Sequence, residues 1–422
     1  MDDRRRIGLG TATALVVASM IGAGVFTTSG FTLASVGTPS RVLLAWGVGG
    51  VLALLGALSY GALAARIAES GGEYLFLART LHPFAGFLAG WVSLLAGFTA
   101  PIALAAAGFQ AYFGAWLPDG FPLPIVGTAA IAIAGALHGL RLRHGVRAQN
   151  AAVAIKLALL AAFVAIGATR LPDLSPAPRA PDFSLSAFCV SLVWISLSYS
   201  GWNAAVYVGG EVRDPQRNLP RSLVLGTVAV ALLYLALNAI FVLAAPAESL
   251  AGQPAIAAVA ARAIGGPGLE GFVRPIVALA LFTSISAMVM SGPRVYARMA
   301  EDGLFPRLFS FRAEVPTSAV GLQCALAVGV LWVADLSTLL GYIGWTLSVS
   351  AAFTVVGLMR LRAREGAARV PVPGWPWVPA IYVLGTLGAG GFMAARSPSE
   401  PLAGLATVAV GAILYAGLRR RR

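Results

Sequence analysis

Lysine is nearly missing from this chain of 422 residues: Lys156 is the single one, and the other basic residues among its 30 are arginines. Charge of either sign is scarce, at 11% of the chain against 58% hydrophobic residues, a balance that excludes a soluble globular domain. Cysteine occurs only at Cys189 and Cys324, both inside apolar runs. That leaves neither a disulfide framework nor a thiolate metal site, and both are expected to be packing residues. The three histidines, His82, His138 and His144, fall at the ends of apolar runs or between them, where solvation is expected. No HExxH is present, and the hydroxyl-rich patch Ser198, Tyr199, Ser200 has no histidine or aspartate in its run to act as a base. The chain is therefore expected not to be an enzyme and to need no metal and no cofactor. Polar connections are short as well, the longest being near 170–184, 246–265 and 300–315, and none can carry a core of its own.

What fills the chain instead is a series of apolar runs of about 18 to 25 residues, the length that crosses a hydrocarbon core of about 30 Å. Twelve helical spans are predicted, near 7–35, 41–67, 82–113, 121–139, 147–169, 185–211, 219–245, 266–299, 316–334, 336–359, 374–395 and 401–418. The first follows MDDRRR as a secretory signal would, but its apolar run is longer than a signal's and eleven more spans follow. The expected fold class is an all-α membrane protein, one transmembrane domain over 1–422. The formal charge of +13 invites a nucleic-acid reading, which the positions of the arginines remove. With the N-terminus cytoplasmic, 23 arginines fall in inside segments, among them Arg4 to Arg6, Arg141, Arg143, Arg147, Arg312 and Arg419 to Arg422. Only six, Arg41, Arg170, Arg179, Arg262, Arg274 and Arg396, fall outside. That bias predicts a multi-pass protein of the cell inner (cytoplasmic) membrane with both termini cytoplasmic, whose partner is a lipid bilayer and not nucleic acid.

Two spans are interrupted by small residues at their centres: the first reads SMIGAGVF at 19–26, the sixth SLSYSGWNAAVYVGGE at 196–211. Five spans separate them, so the second enters the membrane from the opposite side, as an inverted five-plus-five repeat of secondary transporters requires. Where a helix unwinds at mid-membrane, backbone N–H and C=O groups lose their partners at several kcal/mol each unless something polar satisfies them. A zwitterion does so: its carboxylate takes N–H groups at a half-helix N-terminus and its ammonium takes free carbonyls. Close packing through small residues explains one such break; two at matching places favour a ligand.

IGAGVF in the first span, YSGWNAAVYVGGEVRDPQRNLPRSL from the sixth onward and SGPRVYARMAEDGLFP at the end of the eighth resemble the amino acid-polyamine-organocation (APC) superfamily. The likeness is closest to its L-type amino-acid transporters and their bacterial relatives, and it covers nearly the whole chain. It implies the LeuT-type fold: repeats over 7–169 and 185–359 with helices 1 and 6 broken, two additional helices over 374–418, and amino-acid transport by alternating access. It further implies that the N–H groups of Gly22, Ala23 and Gly24 hold a substrate carboxylate. Carbonyls at Met20 and Ile21, and at Leu197, Ser198, Tyr199 and Ser200 with Gly201 in the same turn, would hold the amino group, with Asn203 beside the substrate. Position 197 is leucine where many relatives place an aromatic lid, which leaves Tyr199 or Trp202 as the gate. Gly292 and Pro293 stand where several relatives carry hydroxyl residues at a former sodium site, which leaves Ser291 as the nearest hydroxyl.

Lys156 lies nine residues beyond Arg147, and a rise of 1.5 Å per residue puts it about 13 to 14 Å deep. A charge there normally faces the bundle interior and has a function. None of the 17 acidic residues is expected at that depth, so the ammonium has no evident counter-ion. By the resemblance, a lysine here takes the place of a sodium ion, its ammonium on carbonyls around Gly22 and the hydroxyl of Ser291. Desolvation disfavours its charged form, so it either exchanges a proton during transport or stands as a fixed cation bracing the break. The missing buried acids favour a neutral substrate, because a cationic one normally meets a buried carboxylate. The expected function is sodium-independent transport of neutral amino acids, by proton-coupled symport or by exchange. The alternatives are a cationic amino-acid or polyamine antiporter, or a channel-like or receptor protein on the same fold.

Overall fold

The computed structural model describes residues 7–139, 145–172, 182–311 and 316–419, with side chains for all of these but 145–150, 152 and 419. The arginines at 4–6, 141, 143, 147, 179, 312 and 419–422, and His144, lie outside the described residues or side chains.

The described residues form sixteen helices and no strand: α1 (Leu9–Met20), α2 (Ala23–Val36), α3 (Pro39–Arg66), α4 (Gly72–Thr80), α5 (Pro83–Val92), α6 (Ala100–Phe113), α7 (Leu123–Gly139), α8 (Gly145–Ala168), α9 (Leu185–Tyr199), α10 (Pro215–Leu243), α11 (Ala247–Leu250), α12 (Ile256–Glu301), α13 (Thr317–Val333), α14 (Leu336–Glu365), α15 (Trp377–Arg396) and α16 (Ser399–Arg419). A π-helical turn over Ser93–Thr99 joins α5 to α6 as one continuous rod. Eight helical stretches are long and apolar enough to cross a membrane. The pair α1 and α2, bent by 42° at its break, adds a ninth, and α7, the Val153–Ala168 part of α8 and α13 are shorter apolar stretches. Away from their ends and prolines, such helices pair their backbone polar groups within the segment, which is the condition hydrocarbon imposes. The outer faces fit that solvent: Leu384 on α15 is 72% exposed and Ile413 on α16 71% exposed.

Local chemistry sets the ends. Gly37 closes α2 in a left-handed conformation, φ 79°, and Thr38 caps α3 ahead of Pro39. Asp335 caps α14 by accepting from the Thr338 N–H.

Three stretches depart from the sequence reading. Residues 256–265, expected as a polar connection, are helical, and the turn to the rest of α12 is made at Gly266, φ 64°, just before Pro267. Residues 72–80, expected as a loop, form α4. The second half of the sixth span is a 3₁₀ helix, Ala204–Glu211, in which valine, tyrosine and paired glycines give little α propensity.

Several early helices pack on later ones. α2 lies on α9, α3 on α10, α6 on α12 and α7 on α13, while α15 flanks α14, α9 and α3, and α16 flanks α14 and α5. Glycines on α3 admit aromatic rings from the sixth span: a Cβ at Gly50 would lie 2.9 Å from the Tyr199 hydroxyl, and one at Gly56 2.9 Å from Trp202.

Candidate functional site

The first break is two residues long. α1 stops at Met20, Gly22 is extended at φ −125° and ψ −156°, and α2 starts at Ala23 with no side chain capping it. The leading N–H groups of a helix have no partner inside it and carry the positive end of its dipole. At this end those groups belong to Ala23 and Gly24, whereas the Gly22 N–H turns back to the Met20 carbonyl at 2.9 Å. At the second break, the Ser200 N–H returns to the Leu197 carbonyl at 2.9 Å, and Gly201 is left-handed at φ 98°. The two breaks pack directly on one another. A Cβ at Gly201 would lie 2.7 Å from the Ser19 carbonyl oxygen, and one at Gly24 2.6 Å from the Cα of Ser198. The Ser198 and Thr28 hydroxyls are 2.9 Å apart.

A residue that sequence reasoning missed joins them. Tyr234 of α10, fully buried, aims its hydroxyl at the Met20 carbonyl at 2.6 Å and the Ser198 carbonyl at 3.1 Å. One phenol thus serves a carbonyl beside each break. Its sequence signal is faint, a lone tyrosine in LLYLALNAIF. Tyr234→Phe leaves those carbonyls without that donor, at a cost of about 1–3 kcal/mol for an unpaired buried acceptor. The ligand-free protein is therefore expected to melt lower, with saturating substrate recovering the loss; equal melting temperatures with and without the hydroxyl would refute this bridging role.

Lys156 on α8 is fully buried, and its Nζ donates to the Ile21 carbonyl at 3.0 Å. Among the described residues no carboxylate pairs with it, so the ammonium is held by the backbone of the first break. The hydroxyl facing Gly22 belongs to Ser284 on α12, 2.9 Å from where a Cβ would stand. Ser291, the hydroxyl named from the sequence, is half-buried two turns further along that helix.

The two gate candidates both lie against α3. Tyr199 donates to the Trp46 carbonyl at 3.0 Å and packs among Trp46 and Tyr234, with ring centroids 5.6 and 5.2 Å away. Trp202 stands edge-on to Tyr60, 4.6 Å between centroids. Asn203, half-buried, donates from Nδ2 to Glu73 Oε1 at 3.2 Å. Glu73 corrects the reading that no acid is buried here, for it is only 6% exposed. The error came from treating residues 68–81 as a solvated loop, whereas α4 folds inward. His138 is a second correction: it is half-buried, its Nε2 2.7 Å from the Ser286 hydroxyl, because α12 carries a polar side chain to the end of α7.

The amino acid permease family model matches residues 7–414. The chain is similar to the large neutral amino acids transporter small subunit 2 of Rattus norvegicus, 26% identical over 400 residues that cover 90% of this chain and 74% of that protein. It is also similar to the serine/threonine exchanger SteT of Bacillus subtilis (strain 168), 27% identical over 403 residues, 91% of this chain and 90% of that one. A third likeness is to the b(0,+)-type amino acid transporter 1 of Mus musculus, 25% identical over 399 residues, 91% of this chain and 81% of that one.

Proposed function

The chain belongs to the amino acid permease family, whose members are transporters and not enzymes, and on that premise we propose that it exchanges neutral amino acids across the cytoplasmic membrane without sodium. The carrying observation is the buried Lys156 ammonium on the Ile21 carbonyl, which gives the first break the positive charge that a bound metal ion would otherwise supply. The substrate carboxylate meets the N–H groups at the start of α2, and its ammonium takes the carbonyls of Met20 and Ser198 in place of the Tyr234 hydroxyl. Pairing of α2 with α9, α3 with α10, α6 with α12 and α7 with α13 supports twelve spans in an inverted repeat with two additional helices. The arginine bias supports cytoplasmic termini. Alternating access then rocks the broken helices against the rest around one site, open to one side at a time. The exchange reading is drawn from the serine/threonine exchanger SteT, and the neutral substrate from the large neutral amino acids transporter.

Glu73 favours a second reading, a cationic amino acid or polyamine, since a buried carboxylate borders the site through Asn203. Its two oxygens are already engaged by neutral donors, which supports the neutral reading. Competition for uptake into proteoliposomes separates the two. Neutral amino acids are expected to compete, needing both a free α-carboxylate and an α-amino group, while arginine, lysine and putrescine compete at least about tenfold less well. Strong competition by putrescine, which has no carboxylate, would establish the second reading. Asn203→Ala is expected to reorder the neutral amino acids more than it lowers the melting temperature, because it removes a polar group from the ligand's edge.

A further inference from the structure

Glu73 is bound by three donors from three different elements. Tyr60 of α3 donates to its Oε1 at 2.7 Å, Asn203 of the second break to the same oxygen at 3.2 Å, and Ser350 of α14 to Oε2 at 2.8 Å. Among the described residues no cation pairs with it. A carboxylate buried without a cation depends on all of its hydrogen-bond donors, since each one lost exposes a full desolvation penalty. The helix that carries it is entered through a sharp bend: Gly71 and the first residue of α4, Gly72, hold φ 147° and 57°, conformations open to glycine at little cost. Its next residue, Tyr74, donates to Asp302 just beyond α12 at 2.8 Å. α4 is therefore pinned at one end of α12 and latched through Glu73 to α3, α14 and the sixth span. Asn203 is the only one of the three donors that lies in the unwound segment, and it is half-buried.

We propose that Glu73 is a positioning residue that holds Asn203 while the carrier is empty, so that a substrate must take Asn203 from Glu73 before the broken helix moves. Resting on the exchange reading above, this explains why an empty carrier would stay put: its sixth span is tied to α4 and α14 until a ligand competes for the tie. Part of the substrate's binding free energy is spent in opening the latch.

The test uses the full chain in proteoliposomes loaded with the amino acid that the wild type exchanges. Glu73→Gln keeps the shape but removes the charge and turns one acceptor oxygen into a donor, so the hydrogen bond from Asn203 becomes a weaker neutral one, or is lost where the amide nitrogen faces it. Efflux into substrate-free buffer is expected to rise about tenfold relative to exchange, and KM to fall about threefold because substrate no longer opens the latch. Glu73→Asp keeps both acceptor oxygens and is expected to return part of the way to wild type. In the ligand-free protein, amide hydrogen exchange over 200–212 is expected to quicken about tenfold in Glu73→Gln. A merely structural glutamate predicts a raised or unchanged KM and no leak, and either result overturns the proposal. If Glu73→Gln fails to fold, Ser350→Ala, which removes one donor and no charge, carries the same measurements with smaller expected changes, and unchanged leak and amide exchange there also overturn it. If the wild type exchanges no amino acid, the transport reading falls, while the amide-exchange comparison still decides the latch.

Discussion

Gly24→Ala is expected to abolish uptake while the protein still inserts. The added Cβ would stand 2.6 Å from the Cα of Ser198, and that atom belongs to the backbone of the last turn of α9, which cannot rotate aside. Either α2 or α9 must shift, opening the contact between the helix ends that flank the two breaks. Overpacking of this kind costs about 1–3 kcal/mol, enough to distort a site without unfolding a multi-pass membrane protein. Gly22→Ala is expected to behave differently. Its Cβ would meet only the Ser284 hydroxyl at 2.9 Å, the free end of a side chain that can turn away, and the backbone there, at φ −125°, is open to any residue. Reduced but measurable uptake should remain, and Ser284→Ala in the same chain should restore more of it, an interaction energy readable from the double-mutant cycle. Branched Gly22→Val should fail even so. Removing the Ser198 hydroxyl, whose Oγ would lie nearest at 2.4 Å, should not rescue Gly24→Ala, because the Cα at 2.6 Å and the Cβ at 2.8 Å still obstruct. Normal uptake by Gly24→Ala would mean that the substrate site is elsewhere.

These pairs show which parts of the site are legible in a sequence. A break announces itself through small residues inside an apolar run, and a lone lysine in such a run announces a buried charge, because both violate the composition that hydrocarbon demands. Lys156 and the SMIGAGVF and SLSYSGWN stretches are visible for that reason. Tyr234 violates nothing: a tyrosine among leucines is ordinary, and only the fold brings its hydroxyl to two carbonyls 214 and 36 residues away. Ser284 and Ser291 lie on one helix, so the sequence offers several hydroxyls along it and the rotation of α12 chooses between them. Glu73 is hidden by its neighbours, since ARIAESGGEYLFLART reads as a polar turn with four charges. The glycine pair folds that segment back into the protein, and a carboxylate expected in water is buried on Asn203.

Replacing sodium by potassium or choline is expected to leave exchange unchanged, and Lys156→Ala to lower it about a hundredfold, because the Ile21 carbonyl then faces an empty, buried space where an ammonium stood. Fully buried, with its Nζ 3.0 Å from that carbonyl and no carboxylate beside it among the described residues, the lysine is held by a dipole and not by a counter-charge. Such a group has little to keep its proton fixed through a cycle in which the first break moves. The residual exchange of Lys156→Ala is therefore expected to lose its dependence on pH and on a proton gradient. Lys156→Arg should not bring that dependence back, since a guanidinium keeps its proton at any pH a membrane meets. A lysine that serves only as a brace predicts the reverse: arginine would recover part of the rate, and the pH profile of the wild type would persist in both variants. Symport is read from the same liposomes, because a proton gradient would then drive uptake above the exchange level in the wild type and not in Lys156→Ala. A sodium requirement in the wild type would remove both accounts, for a bound sodium ion and a fixed ammonium compete for the same carbonyl at the same break.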